Sequence, residues 1–213
     1  MTNRWKRQSA CIIGALALGT PALASEHSLH DALSNGEVFG NVRLRYESVD
    51  QDNALKDADA LTIRTRLGYS TASFQGVSGV LEFEDSRNVM GFDDYNDALG
   101  KNTNYSVIPD PETTEVDQAY LQYNADKLMA RLGRQVITYD NQRYVGHVGW
   151  RQDRQTFDAL RLSYSPIESL TLGYAYLNQR NRIFAEARDV PAKDHLLNLG
   201  YETELGKLSA YAY

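Results

Sequence analysis

Six arginines stand inside stretches where every second residue is apolar: Arg43, Arg45, Arg64, Arg66, Arg131 and Arg161. Guanidinium keeps its charge in a confined space, and its planar fork meets carboxylate or phosphate oxygens two at a time. A group of them lining a wet passage favours anions. Glu82, Glu84, Gln118 and Gln122 share the polar side with them. The five lysines after residue 50 (Lys56, Lys101, Lys127, Lys193, Lys207) instead fall in connections or at strand ends. Two uses of the arginines are compatible: selecting an anionic solute, or pairing with Glu47, Glu82 and Glu84 across neighbouring strands to stiffen a wall. Alternation alone does not choose between them.

Other chemistry is thinly represented. The only cysteine, Cys11, lies within the first apolar run, so disulfide frameworks, thiolate metal sites and cysteine nucleophiles are not expected. His147, with Asp140 and Asp153 nearby in sequence, is the single pairing that suits a general base and its orienting carboxylate. No Gly-x-Ser-x-Gly nucleophile motif accompanies it. Carboxylates cluster at Asp50, Asp52, Asp57 and Asp59 and again from Asp85 to Glu115. None has the EF-hand pattern, and they are read as solvated loops with no metal and no cofactor.

The elements that must carry these residues start after an export signal. Arg4, Lys6 and Arg7 precede a short apolar run, and Ala22-Leu23-Ala24 supplies a small-x-small cleavage pattern, so residues 1–24 read as a signal peptide. Its apolar core is well short of the roughly 20 residues of a spanning helix. Without those three cations the formal charge falls from −6 to −9, which argues against a nucleic-acid partner.

From residue 37 onward the alternation predicts nine strands, at 38–49, 60–72, 76–85, 115–124, 128–138, 156–165, 169–178, 195–203 and 207–213. Each approaches the roughly 9 to 11 residues that a tilted strand needs to cross a bilayer. Short connections alternate with long polar ones at 50–59, 86–114, 139–155 and 179–194. That is the plan of an outer-membrane barrel, with short periplasmic turns and long outer loops. Residues 25–36 would form a periplasmic leader, and 37–213 the barrel wall.

A quasi-repeat agrees with this register. Leu-x-Tyr precedes every short turn, placing Tyr69, Tyr123, Tyr164 and Tyr201 at one level. Leucine and tyrosine two apart share a face. The leucine then sits in the apolar band and the phenol at the interface, forming an aromatic girdle. In the first two strands Val42, Leu44, Tyr46, Leu61, Ile63, Leu67 and Tyr69 take the lipid side, leaving the arginines inside. Arg134 has the opposite parity to Arg131 and needs a bulge or a rim position to point inward. The fold class expected is all-β, an antiparallel transmembrane β-barrel of which about nine strands, the N-terminal half, are present. Nine is odd, whereas single-chain bacterial barrels close with an even number.

Leu44-Arg45-Tyr46-Glu47, the run from Ala60 through Leu61-Thr62-Ile63-Arg64-Thr65-Arg66-Leu67-Gly68 to Tyr69, Leu81-Glu82-Phe83-Glu84-Asp85-Ser86, Asp117-Gln118-Ala119-Tyr120-Leu121 and Leu132-Gly133-Arg134-Gln135 resemble the alginate-export porins of Gram-negative bacteria. The resemblance implies a monomeric barrel of more strands than are seen here. It also implies an outer-membrane location, an arginine-rich lumen matched at the six arginines above, and a small or polysaccharide anionic solute. Outer-membrane lipid and the assembly and secretion machinery are the other partners it implies. The rival classes are a soluble periplasmic β-sandwich or carrier, because alternation does not say which face meets water, and an outer-membrane hydrolase built on His147.

Overall fold

A computed structural model describes the backbone of residues 9–16 and all of 28–213. Ten antiparallel strands form one sheet in strict chain order, each bonded to the next. They are β1 (Ser9–Leu16), β2 (Glu37–Val49), β3 (Ala58–Ser70), β4 (Val77–Asp94), β5 (Thr113–Ala125), β6 (Leu128–Gln135), β7 (Thr156–Ile167), β8 (Leu170–Asn181), β9 (Val190–Thr203) and β10 (Gly206–Ala212). The sheet is not closed, β1 and β10 being its edges. All nine strands expected after residue 37 are present, with short and long connections alternating as the sequence implied.

Several elements differ from expectation, β6 among them, which ends at Gln135 rather than at residue 138. β4 runs on to Asp94, through Met90 and Gly91 in the left-handed region (φ 56° and 72°), so the second long connection begins at residue 95. β9 starts at Val190, which takes Lys193 into a strand. Much of the predicted signal peptide (1–8 and 17–24) lies outside the described residues, while Ser9–Leu16 runs antiparallel along β2. In the leader, Leu29–Ser34 forms a short helix, α1, where Ser28 Oγ accepts from the Asp31 amide at 3.1 Å. α1 packs at the short-turn end of β3: the Leu33 carbonyl accepts from the Tyr69 hydroxyl, and that of Ala32 accepts from the Ala72 amide at 3.0 Å.

The two faces of the sheet have opposite chemistry, and in the reverse sense of a water-soluble protein. On the outer face Leu67, Leu121 and Leu132 are 59, 61 and 63% exposed, joined by Val38, Val42, Leu81, Phe83, Leu160 and Leu172. Register makes this continuous: Leu121 lies opposite Leu132, and Leu132 opposite Leu160. On the inner face Arg45 and Glu84 are each 1% exposed. A soluble single sheet that left such a stripe to water would forfeit about 25 cal/mol for every Å² of apolar area. Hydrocarbon removes that penalty and requires the backbone groups of the wall to be paired, which the ladder does for the strands between its two edges.

Leu132→Arg checks this directly. In lipid the change costs about 2–4 kcal/mol near mid-membrane, whereas at a water-exposed site it would stay within about 0.5 kcal/mol. Urea titration of protein refolded into vesicles reads the difference.

Candidate functional site

The inner-face charges are organised by two of the long connections, which fold over the sheet. Residues 95–112 pack Tyr95 and Ile108 onto Ala58 and Ala60 at the far end of β3, all four buried. The Tyr95 hydroxyl donates to the Asp110 carbonyl at 2.8 Å, holding the end of that loop in place. Burial pushes this phenol up to about 12, so it stays a donor at any ordinary pH. Asp110 thereby reaches Arg45 on β2 in an ion pair.

The third long connection, 136–155, crosses the inner face. Its first part is apolar, with Ile137 and Val145 buried against Phe157, Ala159, Ala175, Leu177 and Leu196 of β7, β8 and β9. Its second part, Gly149-Trp150-Arg151-Gln152-Asp153-Arg154, lies on the arginines of β2 and β3. Arg43 Nε donates to Gln152 Oε1 at 2.8 Å, and the same guanidinium donates to the carbonyls of Gly149 (2.8 Å) and Arg151. Arg45 donates to the Trp150 carbonyl and lies 5.3 Å from that ring's centre. Arg64 donates to Asn41 and to the Gln152 carbonyl. The Gln152 amide nitrogen donates to Thr62 Oγ1 at 2.7 Å, and its backbone N–H to Asp110 at 2.7 Å.

Arg43 and Arg64 are direct cross-strand partners. Like charges so placed repel, and the loop carbonyls aimed between them relieve that repulsion. A second group lies beside it. Arg66 pairs with Glu84, its register partner on β4, and with Asp117 at 3.4 Å. Arg154 from the loop binds Asp117 at 2.5 Å and Glu82 at 2.8 Å. Arg151 completes the first group through Glu47 at 3.2 Å and Asp110 at 3.4 Å. Buried guanidiniums and carboxylates survive only with such partners, since desolvation alone would cost several kcal/mol per ion.

Asp117 reaches this site through a bulge. Glu82 pairs with Gln118 and Phe83 with Val116, which leaves Asp117 as an extra residue. A bulge re-aims a side chain that strict alternation would send elsewhere, so both Asp117 and Gln118 meet inner-face groups. Period-two reasoning finds Gln118 and misses Asp117. Asp110, Arg151, Gln152 and Arg154 also escape it, because they lie in connections. Their one local signal is the density of tryptophan, glutamine and charge in residues 149–154.

The remaining sequence candidates are placed as follows. Arg131 and Arg161 face each other across β6 and β7, away from the carboxylate lattice. Arg131 donates to Gln122 at 2.9 Å and stacks 4.2 Å from the Tyr120 ring; Arg161 lies 5.8 Å from that of Tyr139. Arg134 instead pairs with Asp158 at 2.8 Å. Tyr123, Tyr164 and Tyr201 are exposed on the outer face and Tyr69 is half-buried, all near the short turns. Among the described residues no hydrogen bond joins His147 to Asp140 or Asp153. Asp140 binds Ser209 and Lys207, and Asp153 accepts from the Ala185 amide. Burial, then Arg154 and Arg66, lower the His147 pKa. No cluster of potential metal ligands occurs among the described residues.

A single antiparallel sheet with an exposed apolar outer face, a charged inner face and an in-folded loop is the wall of an outer-membrane-type barrel. A family model described as alginate export matches residues 35–185, and the chain belongs to that family. It is a family of outer-membrane transport channels. No curated protein and no solved structure matches the chain.

Two outcomes follow from this geometry. Asp110→Ala leaves the buried Arg45 short of its loop partner and should cost about 3–5 kcal/mol; limited proteolysis should then cut residues 139–155 faster than in the parent. Asp153 carries the pH dependence. Burial, then Glu115 and Glu84, raise its carboxyl to about 9 from an ordinary 3.8. In the docked loop it therefore holds its proton, whereas a released loop ionises near 3.8. Docking is favoured fully below that value and is lost as pH rises toward about 9. Hydrogen exchange of residues 149–154, corrected for intrinsic rates, should rise across this window, and Asp153→Asn should flatten it.

Proposed function

We propose that the chain forms part of an outer-membrane channel passing anionic solutes, including an alginate-type acidic polysaccharide, across a lumen lined by the inner face of β2–β7. The observation that carries this is the inversion of burial, with leucine outside and guanidinium inside. The family match supports the same reading. Arg43, Arg45, Arg64, Arg66, Arg131 and Arg161, with Glu82 and Glu84, are the lumen groups. Tyr69, Tyr123, Tyr164 and Tyr201 serve as the interfacial girdle, anchoring the short-turn end at the headgroup level. An export signal in residues 1–24, removed on secretion, delivers the chain to the barrel-assembly machinery.

The in-folded loop gives this channel its constriction. Carbonyl oxygens of Gly149, Arg151 and Gln152 occupy donors of Arg43, Arg64 and Arg66. A carboxylated solute would use those same donors. The loop thus acts as a neutral stand-in for the solute, keeping the arginines satisfied when none is bound and competing with it when one arrives. Charge excess decides selectivity, because the carboxylates of Glu47, Glu82, Glu84, Asp110 and Asp117 already neutralise much of the lattice.

Planar-bilayer recording of the closed channel that contains this chain tests this. Chloride should permeate in preference to potassium. Arg64→Ala with Arg66→Ala should lower that preference, and deleting residues 141–154 should raise the unitary conductance. Cation preference in the parent protein would reject the arginine-lined lumen.

A further inference from the structure

Large side chains cover most of the outer face, but two small residues interrupt them in the middle of the sheet. Gly79 of β4 and Ala119 of β5 face outward, each two residues from a leucine of that face, Leu81 and Leu121. Register sets Leu81 opposite Ala119 and Gly79 opposite Leu121, so the small pair and the large pair take crossed corners of one square. The result is an open trough of about 390 Å³, with Gly79 and Ala119 on its floor and Leu81, Leu121 and Leu132 as its walls. Tyr69 and Thr71 line its end near the short turn after β3. Conformation does not explain the glycine, whose φ lies outside the left-handed region. Close backbone approach does not explain it either. A Cβ at Gly79 would meet Leu121 Cδ2 at 3.3 Å and Thr71 Cγ2 at 3.8 Å, and the nearest backbone atom, the Tyr120 oxygen, also lies at 3.8 Å. The remaining use of a strand glycine is to leave room for a ligand.

The trough has a direction. From Gly79 to Ala119 is one strand spacing, about 4.8 Å, and two residues of rise, about 6.6 Å, which makes a lean of about 36° from the strands. Barrel strands themselves tilt about 35–45° from the membrane normal. Ala119 shares a register row with Tyr69 through Leu81, yet lies four residues along β5 from Tyr123, the girdle tyrosine at the level of Tyr69. Rows therefore climb from β3 to β5, in the same sense as the diagonal, so the two inclinations cancel and the trough runs along the normal. At its lower end stands α1. The Tyr69 hydroxyl donates to the Leu33 carbonyl, and the Thr71 hydroxyl accepts from the Gly79 amide at 2.9 Å. Leu29 and Leu33, one turn apart on α1, are 59 and 53% exposed. Polar groups thus lie at the foot of the trough and apolar groups along its length. The wall on both sides, from Leu67 and Phe83 to Leu160 and Leu172, is the lipid-facing surface already described. An upright, narrow, apolar slot in that surface fits a hydrocarbon chain.

We propose that this trough seats one acyl chain of a diacyl phospholipid from the leaflet on the short-turn side, its glycerol at the level of Tyr69 and Thr71 and its tail running over Gly79 and Ala119. The seat rests on the reading of the leucine-bearing face as lipid-facing. To that reading it adds one lipid held at a defined place, on a wall otherwise wetted by chains that exchange freely.

Carbene labelling tests it. The closed channel that contains this chain, in detergent micelles, is irradiated with an equimolar phosphatidylethanolamine whose acyl chain carries a mid-chain diazirine, and the labelled peptides are mapped. Label should fall on residues 79–81 and 119–121 with at least about tenfold preference over residues 160–172, whose leucines are exposed on the same face. Ala119→Leu, which raises the floor at an outward position, should lower the label on both segments by about tenfold. Gly79→Ala, a single methyl against Leu121, should lower it by less. The distribution in the parent protein decides by itself if Ala119→Leu folds poorly. Even labelling of the three segments, or label unchanged by Ala119→Leu, would overturn the seat while leaving the wall lipid-facing. Label concentrated on the inner-face residues Phe157 and Leu196 would overturn the lipid-facing reading, and the seat with it.

Discussion

One guanidinium ties three distant parts of the chain together. Arg45 of β2 meets Glu47 on its own strand, Asp110 from the second long connection and the Trp150 carbonyl from the third. At 1% exposure it has no water to fall back on, so each partner is obligatory. The position of both loops follows from that need. Tyr95 holds the end of one loop so that Asp110 can arrive, and Ile137 with Val145 anchor the other so that residues 149–152 lie over the arginines. Were Arg45 apolar, Asp110 and the Trp150 carbonyl would each lose a buried cationic partner.

That a buried arginine is tolerable at all depends on the outer face. In water, leucines such as Leu67 and Leu132 would collapse inward and expel the charges. In hydrocarbon the preference reverses, because a lipid-facing charge costs more than a paired one inside. The sheet ladder satisfies the backbone between the two edge strands meanwhile. Bilayer, ladder and lattice therefore act as one constraint.

The inner face has two walls of different character, bridged by the same loop. Along β2–β5 it is ionic, and the loop carbonyls accept from its arginines. Along β7–β9 it is apolar, and Ile137 and Val145 of the loop are buried there. Movement of the loop would alter both at once, since Val145 and Gln152 are only seven residues apart. The raised carboxyl of Asp153 lies at the ionic end of that bridge, where loss of its proton would loosen the whole segment.

What could be read in the residues follows from the shortness of the strand period. Alternation, Leu-x-Tyr before each short turn, and the use of arginine for the strand-interior cations determined nine strands, their order, and which of Arg43, Arg45, Arg64 and Arg66 share a face, because side chains two apart must do so. The extension of β4, the bulge at Asp117 and the entry of residues 136–155 onto the inner face were decided only by tertiary structure. A bulge reverses parity without changing composition, and a long loop has no period to betray its path. Arg43 finds Gln152 across 109 residues of sequence, and a contact of that span forms only when the sheet has brought both walls within reach.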